Sequence, residues 1–390
     1  MPSVLSVVGR TVLPSRTHHP ARSAQGVPMK KSAWLPAVIA PVVVAGAVAA
    51  PVIANAASTP IAGAHPTAAQ VIASIARSSD AQYSGKLEQT SDLGLPELPA
   101  GSGGSSLQGV ASDALSLLTA PHTARVYVDG ADRQRVQVTE QLAEQDLVRN
   151  GSDVWTWDSK AREATHVVLP DHAAAGTGTE DGTVTPSELA QRAVDAITPT
   201  TTVSKPTTTR VAGHDAWAVT LTPKGSGTLV GSVELAVDQQ TGLPLQVIVR
   251  ADGQSSPAFR VGFTSLDYGA PAARLFDFTP PSGAKVTTKD LSDRSRGAHA
   301  HGDHRRPGDG TTADRPVVTG SGWSTVVELP AGTVDRSALG TDGSGLLDQL
   351  TRAVDGGRAV QTSLVSVYLT DDGRVFAGAV PVSTLVAAAE

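Results

Sequence analysis

Asn150-Gly151-Ser152-Asp153-Val154-Trp155-Thr156-Trp157-Asp158 is the stretch on which the fold turns. Asn150-Gly151 is a strong two-residue hairpin turn, because both positions tolerate positive φ. Residues two apart on a strand share a face, so the hairpin presents Trp155 and Trp157 side by side. Four segments further along repeat a division into one apolar and one polar face. Trp217, Val219 and Leu221 alternate with Ala218, Thr220 and Thr222. Val233, Leu235 and Val237 alternate with Glu234, Ala236 and Asp238. Leu245, Val247 and Val249 alternate with Gln246, Ile248 and Arg250, Ile248 being the exception. Phe259, Val261 and Phe263 alternate with Arg260, Gly262 and Thr264. Period-two alternation in successive strands predicts one antiparallel sheet with a single apolar face. The functional question is what covers that face.

The chain has 390 residues, enough for two domains at roughly 150 residues each. Charged residues make up 17% and hydrophobic ones 40%, the balance of a folding chain and not of a charge-rich disordered one. Cysteine is absent, which excludes disulfides, thiolate metal sites, a cysteine nucleophile and a lipid-modified cysteine. Met29-Lys30-Lys31, the uncharged run from Trp34 to Ile53, and Ala54-Asn55-Ala56 read as an export signal cleaved after Ala56. The competing reading is a retained membrane anchor, since the apolar run is about the ~20 residues that a span needs. Residues 1–28 precede a good start at Met29 and read as an over-long start or an extended leader. Residues 1–56 hold five basic side chains and no acids, which leaves 26 basic against 37 acidic in the mature chain, a net of −11. Such a balance argues against nucleic acid and anionic lipid surfaces as partners. It leaves uncharged and acyl ligands open.

Along the chain, Thr67 caps a helix expected to run to about Ser78, and Tyr83 to Thr90 reads as a strand. Beyond a Pro/Gly/Ser-rich loop, Leu107 to Leu118 is amphipathic, a lid or simply core. Strands follow at about 124–129, 133–139, 145–149, 153–158 and 163–169. Thr185-Pro186-Ser187-Glu188 is a capping box opening a helix to Ile197. Thr198 to Thr209 reads as a connector to the four alternating strands, and Phe276-Asp277-Phe278 as a last short strand. Residues 286–318 are polar and rich in Gly, Asp and His, the composition of a linker. A small module occupies 319–390, with a strand at Ser324–Glu328, a helix at Leu346–Val354 and a hairpin turning at Asp371-Asp372-Gly373.

No nucleophile elbow, phosphate loop, dinucleotide fingerprint or His-Glu-x-x-His is present. His299, His301 and His304 have spacing that could hold a metal loosely, but a solvated linker accounts for them better, and no metal or cofactor is expected. His166 and His214 read as structural. Trp155 and Trp157 could stack on sugars, line an acyl pocket or fill a core.

The order of elements resembles a known group. It runs from an exported start through helix, strand and lid-like insertion to a meander carrying Val154-Trp155-Thr156-Trp157. A Thr-Pro-Ser-Glu-Leu-Ala helix follows, and then Val211-Ala212-Gly213-His214-Asp215-Ala216-Trp217. Val237-Asp238-Gln239-Gln240-Thr241-Gly242-Leu243-Pro244-Leu245 and Phe276-Asp277-Phe278-Thr279-Pro280-Pro281-Ser282-Gly283-Ala284 complete it. The chain resembles the LolA lipoprotein-carrier superfamily over residues 67–285, and more closely its RseB/MucB-like branch, which adds a C-terminal module. Eight Lys against 23 Arg suggest an actinobacterial type of this branch. The resemblance implies an α+β fold: a curved antiparallel half-barrel whose concave face, plugged by helices, leaves an apolar cavity, plus a small α/β C-terminal module.

It also implies an exported, extracytoplasmic protein of the cell envelope. The expected role is non-enzymatic binding of a lipid, a lipoprotein's acyl chains or another hydrophobic ligand. The expected lining is Trp155, Trp157, Trp217, Val219, Leu221, Val233, Leu235, Leu245, Val247, Phe259, Val261 and Phe263, with Leu115 and Leu118 from the lid. The alternative is an RseB-like regulator that binds the outer segment of an anti-sigma factor. An envelope hydrolase is the remote third.

Overall fold

Hairpin chemistry organises the first half of the chain. The computed structural model describes residues 65–75, 78, 80–94, 121–139, 143–169, 197–291, 316–332 and 351–390. Gly151 takes φ +63° between β4 (Glu144–Asn150) and β5 (Asp153–Asp158), as the Asn-Gly turn requires. With β1 (Gln82–Ser91), β2 (His122–Asp129), β3 (Arg133–Thr139) and β6 (Glu163–Val168), these strands form a meander. The alternating segments are β9 (His214–Pro223), β10 (Val230–Asp238), β11 (Pro244–Ala251) and β12 (Pro257–Tyr268). Strand β12 pairs antiparallel with β1, which joins the two meanders into one sheet.

With β7 (Thr201–Val203), β8 (Thr207–Val211) and β13 (Lys285–Asp290), that sheet has thirteen strands in the order β13-β6-β5-β4-β3-β2-β1-β12-β11-β10-β9-β7, with β8 also on β9. It is open, not closed into a barrel. A second sheet, β14-β15-β19-β18-β17-β16, lies in the C-terminal region. Its strands are β14 (Val317–Thr319), β15 (Val326–Leu329), β16 (Arg352–Val354), β17 (Gly357–Gln361), β18 (Ser366–Thr370) and β19 (Val375–Gly378). The α+β class and the open antiparallel sheet agree with expectation.

Three local expectations differ from the structure, and one helix is added. The threonine-rich stretch is not merely a connector: it contains β7 (Thr201–Val203) and β8 (Thr207–Val211), both on β9. Threonine suits a pleated strand, but β8 is an edge with exposed threonines, so no apolar alternation marks it. Phe276 ends a 3-10 turn, Ala273–Phe276, and the last strand of the large sheet is β13 (Lys285–Asp290). Strand β13 runs parallel to β6. The helix expected at Leu346–Val354 fails at Arg352–Val354, where β16 turns through Asp355-Gly356 into β17. Helix Val382–Ala389 was not anticipated; it packs Val382 and Leu385 against Tyr368 and Phe376. The export signal, the segment with Leu115 and Leu118, most of the capping-box helix, and His299, His301 and His304 lie outside the described residues.

Helix Ala68–Ile75 starts on a reciprocal cap. The Gln70 N–H donates to Thr67 Oγ1 at 3.2 Å, and the Thr67 N–H donates to Gln70 Oε1 at 2.8 Å. Its Val71 is fully buried against Trp217, Val219 and Val237. The Val-Asp-x-x-Thr-Gly motif meets the helix at Ser74. Buried Asp238 accepts from the N–H groups of Gln240 and Thr241 and from the Thr241 hydroxyl, fixing the β10–β11 turn. Gly242 then takes φ +77°, and a methyl there would lie 2.0 Å from the Ser74 carbonyl oxygen. The motif is a docking seat for the helix. Tyr268 bonds Thr241 through its hydroxyl at 2.9 Å and meets His214 edge-on. Burial pushes its pKa up to about 12.

Candidate functional site

Cross-strand partners in a sheet share a face, so the register sorts every side chain. One row runs Leu235–Val247–Val261–Gln89–His122 across β10, β11, β12, β1 and β2. A second runs Phe263–Leu87–Ala124–Val138–Gln145. A third runs Leu266–Gly85–Val126–Val136–Leu147–Thr156. By register these rows share one face, called the inner face; helix Ala68–Ile75 meets it at Leu235, and Leu87, Phe263 and Leu266 join Ala216, Ala236, Leu243 and Leu245 in a separate cluster beside the register shift at Lys86/Leu87. Trp157 belongs to the row Lys86–Arg125–Gln137–Asp146–Trp157, one residue out of step. Trp155 falls two residues away on the same side. Both indoles therefore face outward, away from Trp217, Val219, Leu221, Val233, Leu235, Val247, Phe259, Val261 and Phe263.

The outer face under the indoles is filled by the closing segment. Trp155 stacks on His166 with centroids 4.2 Å apart and meets Phe278 at 5.5 Å. His166 Nε2 lies 2.6 Å from Asp153. Arg135 pairs with buried Asp146 at 2.8 Å and donates to the Leu275 carbonyl at 3.2 Å. Phe276 is 1% exposed and Trp157 8%. Period-two alternation alone groups the indoles with the inner-face residues. Parity carried across the sheet, through pairings between distant segments, separates them.

Among the described residues, the inner face has two regions packed by other elements, with a half-buried floor between whose edges touch the neighbouring clusters at Val247, Val261 and Leu87. At one end, helix Ala68–Ile75 covers Trp217, Val219 and Val237. At another, Trp323 and Leu364 of the C-terminal region share a cluster with Val230, Val233, Val249 and Phe259. The Trp323 indole N–H donates to Thr201 Oγ1 at 2.8 Å in a buried bond, and the Thr228 hydroxyl donates to the Ala379 carbonyl. Between them, Leu87, Ala124, Val136, Val138, Leu147, Val247 and Val261 are all half-buried. Gln89, His122 and Gln145 form the polar rim.

No protein-family model matches this chain, and no curated protein does. Solved structures similar to it include MucB and LolA-superfamily proteins. A chain of the Pseudomonas aeruginosa MucA/MucB complex covers 82% of this chain and 94% of its own length, at 16% identity and TM-score 0.40. An uncharacterized conserved protein of Thermus thermophilus covers 56% and 98%, at 10% identity and TM-score 0.32. The LolA superfamily protein NE2245 from Nitrosomonas europaea covers 55% and 98%, at 12% identity and TM-score 0.24. At such identities the side chains of this protein decide what its inner face can do.

Of the expected lining residues, Leu221, Leu235, Val247 and Val261 are half-buried on the inner face, and Leu245 and Phe263 are buried beside Leu87. Trp217 and Val219 are packed by the helix; Val233 and Phe259 are packed by the C-terminal region. The inner-face residues Leu87, Ala124, Val126, Val136, Val138 and Leu147 are not among the expected lining. Their signal is present: Val126 and Val128 flank Tyr127, and Val136 and Val138 flank Gln137. The neighbouring indoles outweighed it. Among the described residues, no helix is long and apolar enough to cross a membrane.

Proposed function

We propose that this protein is an exported, non-enzymatic binding protein whose inner sheet face receives the acyl chain of a lipid or of a lipid-modified protein. One observation carries the reading. Part of the half-buried aliphatic floor crosses five adjacent strands, from Leu147 on β4 to Val261 on β12. Its width is four strand spacings, about 19 Å at roughly 4.8 Å each, the scale of an extended long acyl chain. Burying a chain of about sixteen carbons gains on the order of 10 kcal/mol before costs, at roughly 0.8 kcal/mol per methylene. Ordering and desolvation at the rim take back part of that. Native mass spectrometry of protein from its own host, with titration of a fluorescent fatty acid, tests the reading. Bound acyl ligand supports it, and two blank results sink it.

A regulatory role, with the outer segment of a membrane-bound anti-sigma factor as partner, draws support from a different observation. The two sheets share one apolar cluster through Trp323 and Leu364. A protein held by the smaller sheet would thereby bear on the acyl floor of the larger. Capture from host membranes separates the roles: an anti-sigma factor recovered without lipoproteins favours regulation, and the reverse favours carriage.

A further inference from the structure

Val261 and Phe259 lie two residues apart on β12, and Val247 and Val249 two apart on β11, so each pair shares the inner face. Within each pair the exposure falls toward one apolar cluster, which Val261 and Val247 touch at its margin. Val261 and Val247 are half-buried members of the floor, whereas Phe259 is 7% and Val249 4% exposed. What seals the second of each pair is Trp323 and Leu364.

Both side chains are delivered by locally braced turns of the smaller sheet's region. Leu364 sits at the tip between β17 and β18. There the Thr362 hydroxyl accepts from the N–H groups of Leu364 and Val365, and the Thr362 N–H donates to the Val365 carbonyl. The tip is clamped to the end of β1: the Ser363 N–H donates to the Leu93 carbonyl at 2.9 Å, and its hydroxyl donates to the Asp92 carbonyl at 3.1 Å. Trp323 rides on the 3-10 turn Gly322–Ser324 and is held by its buried bond to Thr201. The floor thus ends against a wall built from another module and hydrogen-bonded in place.

We propose that Leu364 and Trp323 are the end stop of the acyl groove and set the longest chain that it takes. The proposal rests on the acyl-binding reading above. Up to the stop, each added methylene finds apolar floor; beyond it, the chain meets Leu364 and must stay in water or bend back.

The test is a homologous series of saturated fatty acids, titrated by displacement of a fluorescent fatty acid from the whole protein. In the parent protein, affinity is expected to rise about fourfold per methylene to a ceiling length and then level off. Leu364→Ala keeps the Trp323–Thr201 bond and is expected to move the ceiling to longer chains at unchanged affinity for short ones. Trp323→Ala is expected to move it further; should it fail to fold, Leu364→Ala decides alone. A ceiling that stays in place, or shortens, in folded Leu364→Ala overturns the end stop and leaves the acyl-binding reading intact. Absence of binding by the parent protein for every chain length overturns that reading itself.

Discussion

At the scale of single residues, the two indoles that dominate the sequence share the outer face of the sheet, where Trp155 stacks on His166 and meets Phe278. Trp157 is buried and lies opposite Asp146, the partner of Arg135. Trp157→Ala should therefore cost about 3–5 kcal/mol of stability, while the affinity of the folded fraction for a fatty acid stays as it was. Thermal melting and ligand titration of the same sample check this. Leu147→Ala should do the reverse, weakening binding by about 1 kcal/mol, roughly fivefold, with a small change in melting. Tyr268 provides a pH signature. Burial raises its pKa from 10.0 to about 12, so the neutral phenol is favoured in the folded protein. A raised folded pKa contributes stability that is whole below the unfolded value and is lost as pH rises through the folded one. The stability difference between the parent and Tyr268→Phe should thus be flat below pH 10.0 and fall between there and about 12. Chemical denaturation across that range reads it.

At the scale of elements, the junction between helix Ala68–Ile75 and the β10–β11 turn depends on one missing methyl. Gly242→Ala places a carbon 2.0 Å from the Ser74 carbonyl oxygen and forces a non-glycine residue to φ +77°. The backbone strain alone is worth about 1–3 kcal/mol, and the clash adds to it. The expected outcome is local: amide hydrogen exchange speeds up in the helix and at Trp217, while β1 to β6 keep their protection. Equal loss of protection throughout the sheet would contradict this division. The Asp-x-x-Thr-Gly pattern was visible in the chain, but its task was not. A turn motif states its own backbone geometry, and which element leans on it follows from a contact as remote in sequence as Gly242 with Ser74.

At the scale of the whole molecule, two sheets share a cluster that includes Val233, Val249, Phe259, Trp323 and Leu364. Modules joined through a common core unfold together, whereas modules joined by a linker alone unfold separately. Calorimetry of the parent protein should show one transition covering both sheets. Trp323→Ala removes the buried indole and leaves the Thr201 hydroxyl without its donor, so it should split the transition in two, the smaller sheet melting first. A bound acyl ligand should raise the parent's melting temperature in proportion to the logarithm of its concentration.

The sequence by itself determined the local half of this protein. Asn150-Gly151 and Asp129-Gly130 specify hairpins because φ > 0 is cheap there, and alternation over 153–158, 214–223, 230–238, 244–251 and 257–268 specifies strands. The Thr67–Gln70 cap specifies a helix start. These rest on interactions between near neighbours, which a linear reading can see. Tertiary structure alone decided the sides. Trp155 and Trp217 alternate equally well, yet they lie on opposite faces, because the pairing of β1 with both β2 and β12 sets the parity between the two meanders. It also decided that β13 joins β6 in parallel, an edge pairing that exposed Lys285 to Thr288 does not announce. A single strand states which residues lie together. Which side of the sheet they occupy, and whether Leu364 or a ligand lies on Phe259, depends on partners far away in the chain.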